Sequence, residues 1–326
     1  MDAPHGTDAP NPQETAKVLL DSHLLLVTGK GGTGKTTFST ALALVAAAKG
    51  RRVLLAEIDS QRPSLTPIFG VDPGFDPVRV TDNLDVANLT WQEALQHFLT
   101  GLVPSRRVVR LILSNRLVGR FLDFTPGSRE IVTLSALGDL VSRYDLVIAD
   151  LPASGHAFSL MDITRSALGL FRSGPVRARA QELRELIASD TTRTVLVALP
   201  EEMVVNETIE TYQKLKRFEH ISGPPVVFLN RATLPTLTDE ERDLLAKLGE
   251  AELAPDQQEF VRAGRWEDEL EQATEESQAR LADAIPRPPL LVPPMLAGGS
   301  LRDVVARVAA HLGRWVGVTK RELTWR

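Results

Sequence analysis

Residues 29–37 carry a pattern of glycine, lysine and threonine that can bind the phosphates of a nucleotide. Glycines at these spacings let successive backbone N–H groups turn inward toward phosphate oxygens. Lys35 can then reach the β- and γ-phosphates, and the Thr36 hydroxyl can bind Mg²⁺. A second lysine, Lys30, stands inside the loop and is surplus to this chemistry. The sequence therefore predicts a nucleotide phosphate-binding loop, or P-loop, made of Gly29, Lys30, Gly31, Gly32, Thr33, Gly34, Lys35, Thr36 and Thr37.

The segments on either side of this loop fit the same interpretation. Residues 23–28 are a short apolar run typical of a strand, and residues 38–49 are rich in Ala and Leu, which favour helix. Gly50 then ends the helix in the usual manner. A helix that begins directly after the loop points its unpaired N–H groups at an anion. A glycine-rich loop with no role in phosphate binding would not need a strand directly before it and a helix directly after it.

Two aspartates end apolar runs elsewhere in the chain. Asp150 follows the run 147–149, and Asp59 closes the run 54–58. Ligands bind at the carboxyl ends of strands in open α/β sheets, so both carboxylates are expected in one crevice. We interpret Asp150 as the Walker B carboxylate, which holds Mg²⁺ through water, and Asp59 as the group that polarises the attacking water. The alternative for each aspartate is a helix N-cap that follows a strand.

The P-loop and the segment that begins at Asp150 together resemble one family. Residues 30–37 resemble the deviant Walker A loop of dimeric ATPases that include nitrogenase iron protein, the Min and Par positioning ATPases and the arsenical-pump ATPases. Residues 150–156 are similar to switch II of the arsenical-pump and tail-anchored-protein-targeting ATPases, with the proline displaced by one position. Pro200-Glu201 followed by Glu207-Thr208 also resembles that branch. The chain is thus identified as a cysteine-free, bacterial-type member with a single ATPase half.

This resemblance implies roles for further residues. Lys30 would cross a subunit interface and contact the nucleotide of a partner subunit, which implies a dimer and makes Lys30 and Asp59 the catalytic residues. Adenine contacts would fall to Asn230, at the end of a strand, and to Pro294. Loss of the γ-phosphate would be reported by the switch II residues Asp150, Pro152, Gly155 and His156.

Departures from the family restrict what the resemblance implies. After Asp59 the family usually has Pro-Ala-His-Asn, whereas residues 60–63 here are Ser-Gln-Arg-Pro, nearer to the Par proteins. The chain has no cysteine, so it lacks the thiolates of the arsenite pump and of the zinc site in the targeting factor. With only four methionines, a client groove would be lined by Leu, Val, Ile and Phe. We therefore expect ATP as substrate, Mg²⁺ as metal and no zinc.

Apolar runs and helical stretches alternate along the chain in a way that would position these residues. Near-continuous apolar runs at 52–58, 144–149, 194–199, 225–229 and 290–292 are typical of strands covered on both faces. Helices between them imply right-handed crossovers. The sequence therefore predicts an α/β fold: a doubly wound, mostly parallel sheet of the P-loop NTPase type with an inserted α-helical subdomain.

The expected organisation has three parts. Residues 1–20 are predicted to form a flexible arm, residues 21–315 the ATPase domain, and residues 316–326 a C-terminal tail. Helical insertions at about 91–142 and 157–190 exceed what a minimal nucleotide-binding sheet needs.

Two further stretches are predicted to be helical, and the first of them allows two interpretations. Between residues 106 and 124 the apolar side chains occupy more than one helical face. This helix is either buried on two sides or lines an apolar groove for a client segment. The acidic stretch 238–285 is predicted to be a solvated helical pair.

Charge and hydropathy exclude several classes of function. The formal net charge is −5 with a pI near 5.8, so no global basic field favours nucleic acid. The first residues lack the basic and apolar regions of a secretory signal, and the longest apolar runs are too short to span a bilayer. We expect a cytoplasmic protein with no transmembrane segment and no nucleic-acid partner.

The favoured function is an ATP-hydrolysing dimeric switch that couples nucleotide state to the binding of a hydrophobic protein segment. The dimer would be a homodimer or a heterodimer with a related ATPase. Two alternatives stay open: a positioning ATPase of the Par or Min kind, and a nucleotide-binding regulatory subunit of a heterodimer.

Overall fold

The apolar runs of the sequence form the strands of one sheet. The computed structural model describes residues 11–103, 105–114, 127–170, 172–218, 221–295 and 299–323. Within these ranges the strands are β1 (Leu24–Thr28), β2 (Val53–Ile58), β3 (Val78–Thr81), β4 (Leu84–Leu89), β5 (Leu146–Asp150), β6 (Thr192–Ala198), β7 (Val226–Asn230) and β8 (Leu290–Val292). Their order across the sheet is β3-β4-β2-β5-β1-β6-β7-β8.

The sheet is parallel except at one edge, where β3 runs antiparallel to β4. From β1 the chain first builds the side that holds β2 and β5, and then the side that holds β6 to β8. The connections therefore change direction at β1, and ligands bind at the carboxyl ends of strands beside such a switch point. The predicted doubly wound α/β fold is confirmed.

The edge strand β3 and its neighbour β4 were not predicted from the sequence. Their apolar runs are interrupted by polar residues, among them Asp85 and Asn88, which are nonetheless buried. Asp85 is paired with Arg79 and accepts a hydrogen bond from the Tyr144 hydroxyl at 2.8 Å. Because Arg79 and Tyr144 bond to Asp85, β4 can bury a polar residue. Its sequence is therefore not a continuous apolar run.

Helices cover both faces of the sheet. The helices of the described residues are α1 (Pro12–Asp21), α2 (Lys35–Ala48), α3 (Thr66–Phe69), α4 (Trp91–Leu102), α5 (Arg106–Ser114), α6 (Ser128–Val141), α7 (Ser154–Leu170), α8 (Pro175–Ala188), α9 (Glu202–Lys216), α10 (Asp239–Leu248), α11 (Pro255–Ala284) and α12 (Leu301–Trp315). One core lies under α1, α2, α3 and α12, and the other under α4, α6, α7, α8, α9 and α11.

Helix α2, which follows the P-loop, is buried along residues 38–47. Its Phe38 ring lies 4.4 Å from the ring of Phe228 on β7, and Phe228 stacks on Trp315 of α12 at 6.3 Å. Aromatic contacts of this kind add to the stability gained by burial. The helix end that faces the phosphates is thus held by packing from two other elements.

The prediction of a flexible arm is wrong for residues 12–20. They form α1, whose N-cap Asn11 accepts the backbone N–H of Gln13 at 3.0 Å. Leu19 and Leu20 are buried against the core under α2 and α12. Two leucines at the end of a polar stretch are enough to dock one amphipathic helix. Residues 1–10 lie outside the described residues.

Both predicted insertions hold helices where the structure describes them. Helices α4, α5 and α6 lie between β4 and β5, and α7 and α8 lie between β5 and β6. Of the two interpretations of the helix from residue 106, burial on two sides does not hold for the described part of α5. There Val109 is buried, whereas Val108, Leu111 and Leu113 are exposed, Leu111 at 70%. Residues 115–126 lie outside the described residues.

The acidic region forms the predicted helical pair, α10 and α11, but it is not fully solvated. Glu271 of α11 has no exposed surface, and its carboxylate accepts the backbone N–H of Thr236 at 2.8 Å and pairs with Arg242 at 2.8 Å. It therefore anchors the segment after β7. The start of the predicted C-terminal tail also packs, with Val318 and Leu323 buried.

Over the described ranges, none of the helices combines the length and apolar character that crossing a bilayer requires.

Candidate functional site

The P-loop joins the carboxyl end of β1 to the first turn of α2. Gly34 is the N-cap of α2 with a φ of +90°, and it supplies no side-chain cap to the helix. A Cβ on Gly34 would lie 2.6 Å from Nδ2 of Asn230, and one on Gly29 would lie 2.2 Å from the Val197 carbonyl oxygen. Only glycine fits at these two positions. The first-turn N–H groups of α2 therefore face the loop as a site for phosphate.

The Lys35 side chain reaches back into this loop. Its Nζ donates a hydrogen bond to the Lys30 carbonyl at 3.1 Å. Burial lowers the pKa of Lys35, while the charges of Asp150 and Glu207 act in the opposite direction. The ammonium group thus stands at the centre of the loop, where a β- or γ-phosphate would bind.

Lys30 lies at the rim of the loop rather than inside it. Its Nζ is 3.7 Å from Oε2 of Glu207 on α9, and both side chains are about one third exposed, at 32% and 38%. An exposed pair at this distance contributes under about 1 kcal/mol. The Lys30 ammonium group can therefore exchange Glu207 for a stronger anion, while the Lys30 carbonyl keeps its bonds inside the loop.

Asp150 ends β5 directly beside the threonine of the loop. Its Oδ2 accepts a hydrogen bond from the Thr36 hydroxyl at 2.5 Å, and its Oδ1 one from the Ser39 hydroxyl at 3.4 Å. Burial raises the pKa of Asp150 to about 6, against the hydrogen bond from Thr36 and the charge of Lys35. These hydroxyl and carboxylate oxygens are the hard donors that Mg²⁺ prefers. The residues present therefore fit a magnesium ion bound together with nucleotide phosphates.

The described residues hold no cluster of three or more His, Cys, Asp or Glu side chains that could cage a metal by themselves. Mg²⁺ commonly binds through one or two protein oxygens, substrate phosphates and water. The arrangement around Thr36 and Asp150 is of that kind.

Glu57 is a member of the site that the sequence reasoning missed. It lies on β2 with its backbone in register with Asp150 on β5. The residue is 3% exposed, and its Oε1 accepts the backbone N–H of Ser64 at 2.8 Å. Burial raises the pKa of Glu57 to about 7, with the charge of Asp150 adding to the shift. A lone glutamate in the apolar run 53–58 was the signal that could have identified it.

Asp59 follows β2 and adopts a left-handed backbone, with a φ of +52°. Its Oδ1 accepts the backbone N–H of Trp91 at 3.2 Å, in the first turn of α4. Aspartate tolerates this conformation better than most residues, and such strain is common at functional sites. The predicted water-polarising carboxylate thus lies at the crevice while it is bonded to the start of the helical insertion.

Switch II begins at Asp150, the last residue of β5, and continues into the first turn of α7. The Thr28 hydroxyl of β1 donates to the Pro152 carbonyl at 3.1 Å, and Leu151 N–H donates to the Val27 carbonyl at 2.9 Å. Gly155 and His156 lie in the first turn of α7. The side chain of His156 lies outside the described residues. The segment after Asp150 is therefore tied to the strand that carries the P-loop.

The predicted adenine residues lie on the other side of the loop. Asn230 ends β7, and its Nδ2 donates to the Thr33 carbonyl at 2.9 Å, so that this side chain braces the P-loop. Pro294 follows β8, which is in register with β7. Both residues stand at the carboxyl edge of the sheet, and their contact with adenine stays a prediction.

Comparison with known proteins agrees with this arrangement. A family profile described as anion-transporting ATPase matches residues 22–173. The ATPase BagA of Mycobacterium tuberculosis is 31% identical over 258 residues, which covers 74% of this chain and 72% of BagA. The arsenical pump-driving ATPase of Escherichia coli is 28% identical over 246 residues, covering 68% of this chain and 41% of that protein. The arsenical pump-driving ATPase of Acidiphilium multivorum is 28% identical over 215 residues, covering 59% and 36%.

The matched residues include the P-loop, Glu57, Asp59 and Asp150, which the fold brings to one edge of the sheet. The family predicted from residues 30–37 and 150–156 is thereby confirmed. Membership also supports ATP binding and ATP hydrolysis as the activity of this site. The chain belongs to the anion-transporting ATPase family.

Proposed function

We propose that this chain is an Mg²⁺-dependent ATPase that acts as a dimeric switch. The observation that carries the proposal is the pair of oxygens from Thr36 and Asp150, 2.5 Å apart beside the P-loop lysine Lys35. When bound, Mg²⁺ would neutralise charge on the β- and γ-phosphates and orient them. Thr36 would ligate the ion directly and Asp150 would hold it through water.

Each protein group has one task in hydrolysis. Backbone N–H groups of the P-loop and the Lys35 ammonium bind the β- and γ-phosphates. Asp59 orients the attacking water. Loss of the γ-phosphate is sensed by the segment from Asp150 to His156, which β1 ties to the P-loop.

The metal dependence and the role of Asp59 can be tested together. Hydrolysis by the wild type is expected to need Mg²⁺ and to stop in EDTA. Asp59→Asn should reduce kcat by about 10² or more, because the water is no longer polarised, while ATP binding is retained. Glu93→Gln, an exposed carboxylate of α4, is the control and should leave both unchanged. Full activity of Asp59→Asn would rule out this role.

The dimer part of the proposal rests on Lys30. Its ammonium lies at the rim of the loop, paired only loosely with Glu207, so a partner's phosphates can attract it. A cation supplied across an interface raises phosphoryl-transfer rates by about 10³ to 10⁵ in the arginine-finger cases. Lys30→Ala should therefore abolish hydrolysis and leave ATP binding largely intact, whereas Lys35→Ala should remove binding. Equal losses of binding and turnover in Lys30→Ala would contradict an in-trans role.

The partner subunit is proposed to be a second copy of this chain. Sedimentation of the purified chain with a non-hydrolysable ATP analogue and Mg²⁺ should show a dimer, and the nucleotide-free chain a monomer. A monomer in both states would instead favour a heterodimer with a related ATPase, or a regulatory subunit.

We further propose that the helical insertion presents the output of the switch to a hydrophobic protein segment. Leu102 of α4 and Val108, Leu111 and Leu113 of α5 are exposed on neighbouring helices. Exposed apolar residues that lie together are a common feature of interaction sites. The bond between Asp59 and Trp91 offers a route by which nucleotide state can move α4.

A synthetic apolar helix that carries a photo-crosslinker tests this output. The crosslink to the protein is expected to depend on nucleotide and to disappear in Leu111→Asp, while Leu244→Asp, at an exposed leucine of α10, should leave it unchanged. Nucleotide-dependent binding to vesicles or DNA instead of the helix would favour a positioning ATPase. The proposed place of action is the cytoplasm.

A further inference from the structure

Glu57 has one carboxylate oxygen whose role the fold does not explain. Oε1 accepts the backbone N–H of Ser64 at 2.8 Å. Oε2 is buried and has no hydrogen-bond partner among the described residues. Leaving a buried carboxylate oxygen without a donor is costly, so native proteins rarely keep one without a reason.

The position of Glu57 in the sheet indicates what kind of group donates a hydrogen bond to Oε2. Glu57 on β2 is in register with Asp150 on the adjacent parallel strand β5. Register partners on adjacent strands direct their side chains to the same face of a sheet, with the strands about 4.8 Å apart. The two carboxylates therefore stand side by side, and Asp150 is already bonded to Thr36 and Ser39. Two adjacent buried carboxylates attract a cation and its water.

The structural task of Glu57 does not account for both oxygens. Holding the loop at Ser64 requires only one acceptor, and a glutamine would provide it. A glutamine would also spare the fold a second buried charge beside Asp150. The ionisable group is therefore surplus to the anchoring of the loop and points to a function that needs its charge.

We propose that Glu57 is an outer-shell carboxylate of the magnesium site, whose Oε2 accepts a hydrogen bond from a water in the hydration shell of the ion. This inference rests on the proposed Mg²⁺-dependent ATPase. Glu57 is a positioning residue: it acts on the ion from the β2 side, while Thr36 and Asp150 act from the α2 and β5 sides. Its Oε1 at the same time fixes the loop that follows Asp59, so the ion and that loop are held by one side chain.

The test measures metal binding rather than turnover. Mn²⁺ serves as the probe, titrated against the protein in the presence of a non-hydrolysable ATP analogue, with free Mn²⁺ read by EPR. Glu57→Gln is expected to weaken Mn²⁺ binding about tenfold, while affinity for the analogue in EDTA changes less than about twofold. A residue that only supports the fold would change both affinities together. Glu276→Gln, an exposed carboxylate of α11, is the matched control.

Mn²⁺ binding by Asp150→Asn and by the wild type distinguishes a failure of this inference from a failure of the proposed function. If Asp150→Asn weakens Mn²⁺ binding and Glu57→Gln does not, the role of Glu57 is wrong and the Mg²⁺ site stands. If the wild type binds the analogue without any gain from Mn²⁺, both are wrong. Should Glu57→Gln not fold, as judged by circular dichroism, Glu57→Asp keeps the charge and withdraws it by one methylene. That variant must then bind Mn²⁺ more weakly than the wild type, and equal binding would overturn the inference.

Discussion

Replacing Glu57 by glutamine should stabilise the nucleotide-free, metal-free protein, by an amount that grows with pH. Burial, with the charge of Asp150 adding to it, raises the pKa of Glu57 from 4.5 to about 7. Because this folded-state pKa lies above the unfolded value, the protonated form is favoured in the fold. The stabilising contribution is complete below the unfolded pKa and is lost as the pH rises through about 7. Glutamine carries no charge at any pH and avoids that loss.

The expected size follows from the shift. A rise from 4.5 to about 7, at about 1.4 kcal/mol for each pKa unit, corresponds to about 3 kcal/mol between acidic pH and pH ~8. For a chain of 326 residues, this is about 4 °C in melting temperature. The main interaction of the side chain is retained, because a glutamine carbonyl still accepts the N–H of Ser64.

Urea unfolding of the wild type and Glu57→Gln in EDTA, from about pH 5 to about pH 8, measures this difference. The two proteins should be similar in stability at the acidic end and diverge at the basic end, with the variant more stable. Glu276→Gln, at an exposed position, should follow the wild type throughout. A constant difference between wild type and Glu57→Gln over the whole range would refute the reasoning, because it would mean that folding does not raise the pKa of Glu57 above its value in the unfolded chain.

Two further predictions use matched pairs. Gly34→Ala should lower ATP affinity about tenfold or more, about 1.4 kcal/mol, since its Cβ would meet a side-chain amide at 2.6 Å, whereas Gly31→Ala enters open space. Nucleotide titration of both variants checks this, and similar losses would show that the contact is irrelevant. Glu271→Ala should cost about 3 to 5 kcal/mol of unfolding free energy, because it removes the buried carboxylate that accepts the N–H and hydroxyl of Thr236 and pairs with Arg242. Glu276→Ala should cost under about 0.5 kcal/mol in the same urea experiment, and comparable costs would contradict the anchoring role of Glu271.

The phosphate-binding part of the site could be predicted from sequence because its constraints are local. Gly29 and Gly34 must be glycines for reasons of backbone conformation and close approach, and Lys35 and Thr36 follow them at fixed spacing. The strands of the parallel sheet could also be predicted from the sequence, since burial on both faces requires continuous apolar runs. Asp150 could be found because it ends such a run.

Features that depend on long-range contacts could not be predicted in this way. Glu57 has the sequence context of a strand residue, and its importance appears only when β5 places Asp150 beside it. On β4, the buried Asp85 is bonded to Arg79 and Tyr144 and the buried Asn88 to the backbone of Ser60, which a local pattern does not reveal. The docking of α1 likewise depends on a core that forms from distant segments, so the local sequence predicts an arm over residues 1–20 although residues 12–20 form a helix.

The central claim is that Lys30 of one subunit completes the site of the other. Mixing two inactive variants, Lys30→Ala and Asp59→Ala, tests it directly, because in a mixed dimer one site holds its own Asp59 and receives Lys30 from its partner. Random assortment should restore about a quarter of wild-type hydrolysis, since half of the dimers are mixed and half of their sites are complete. A mixture no more active than its separate components would contradict the account.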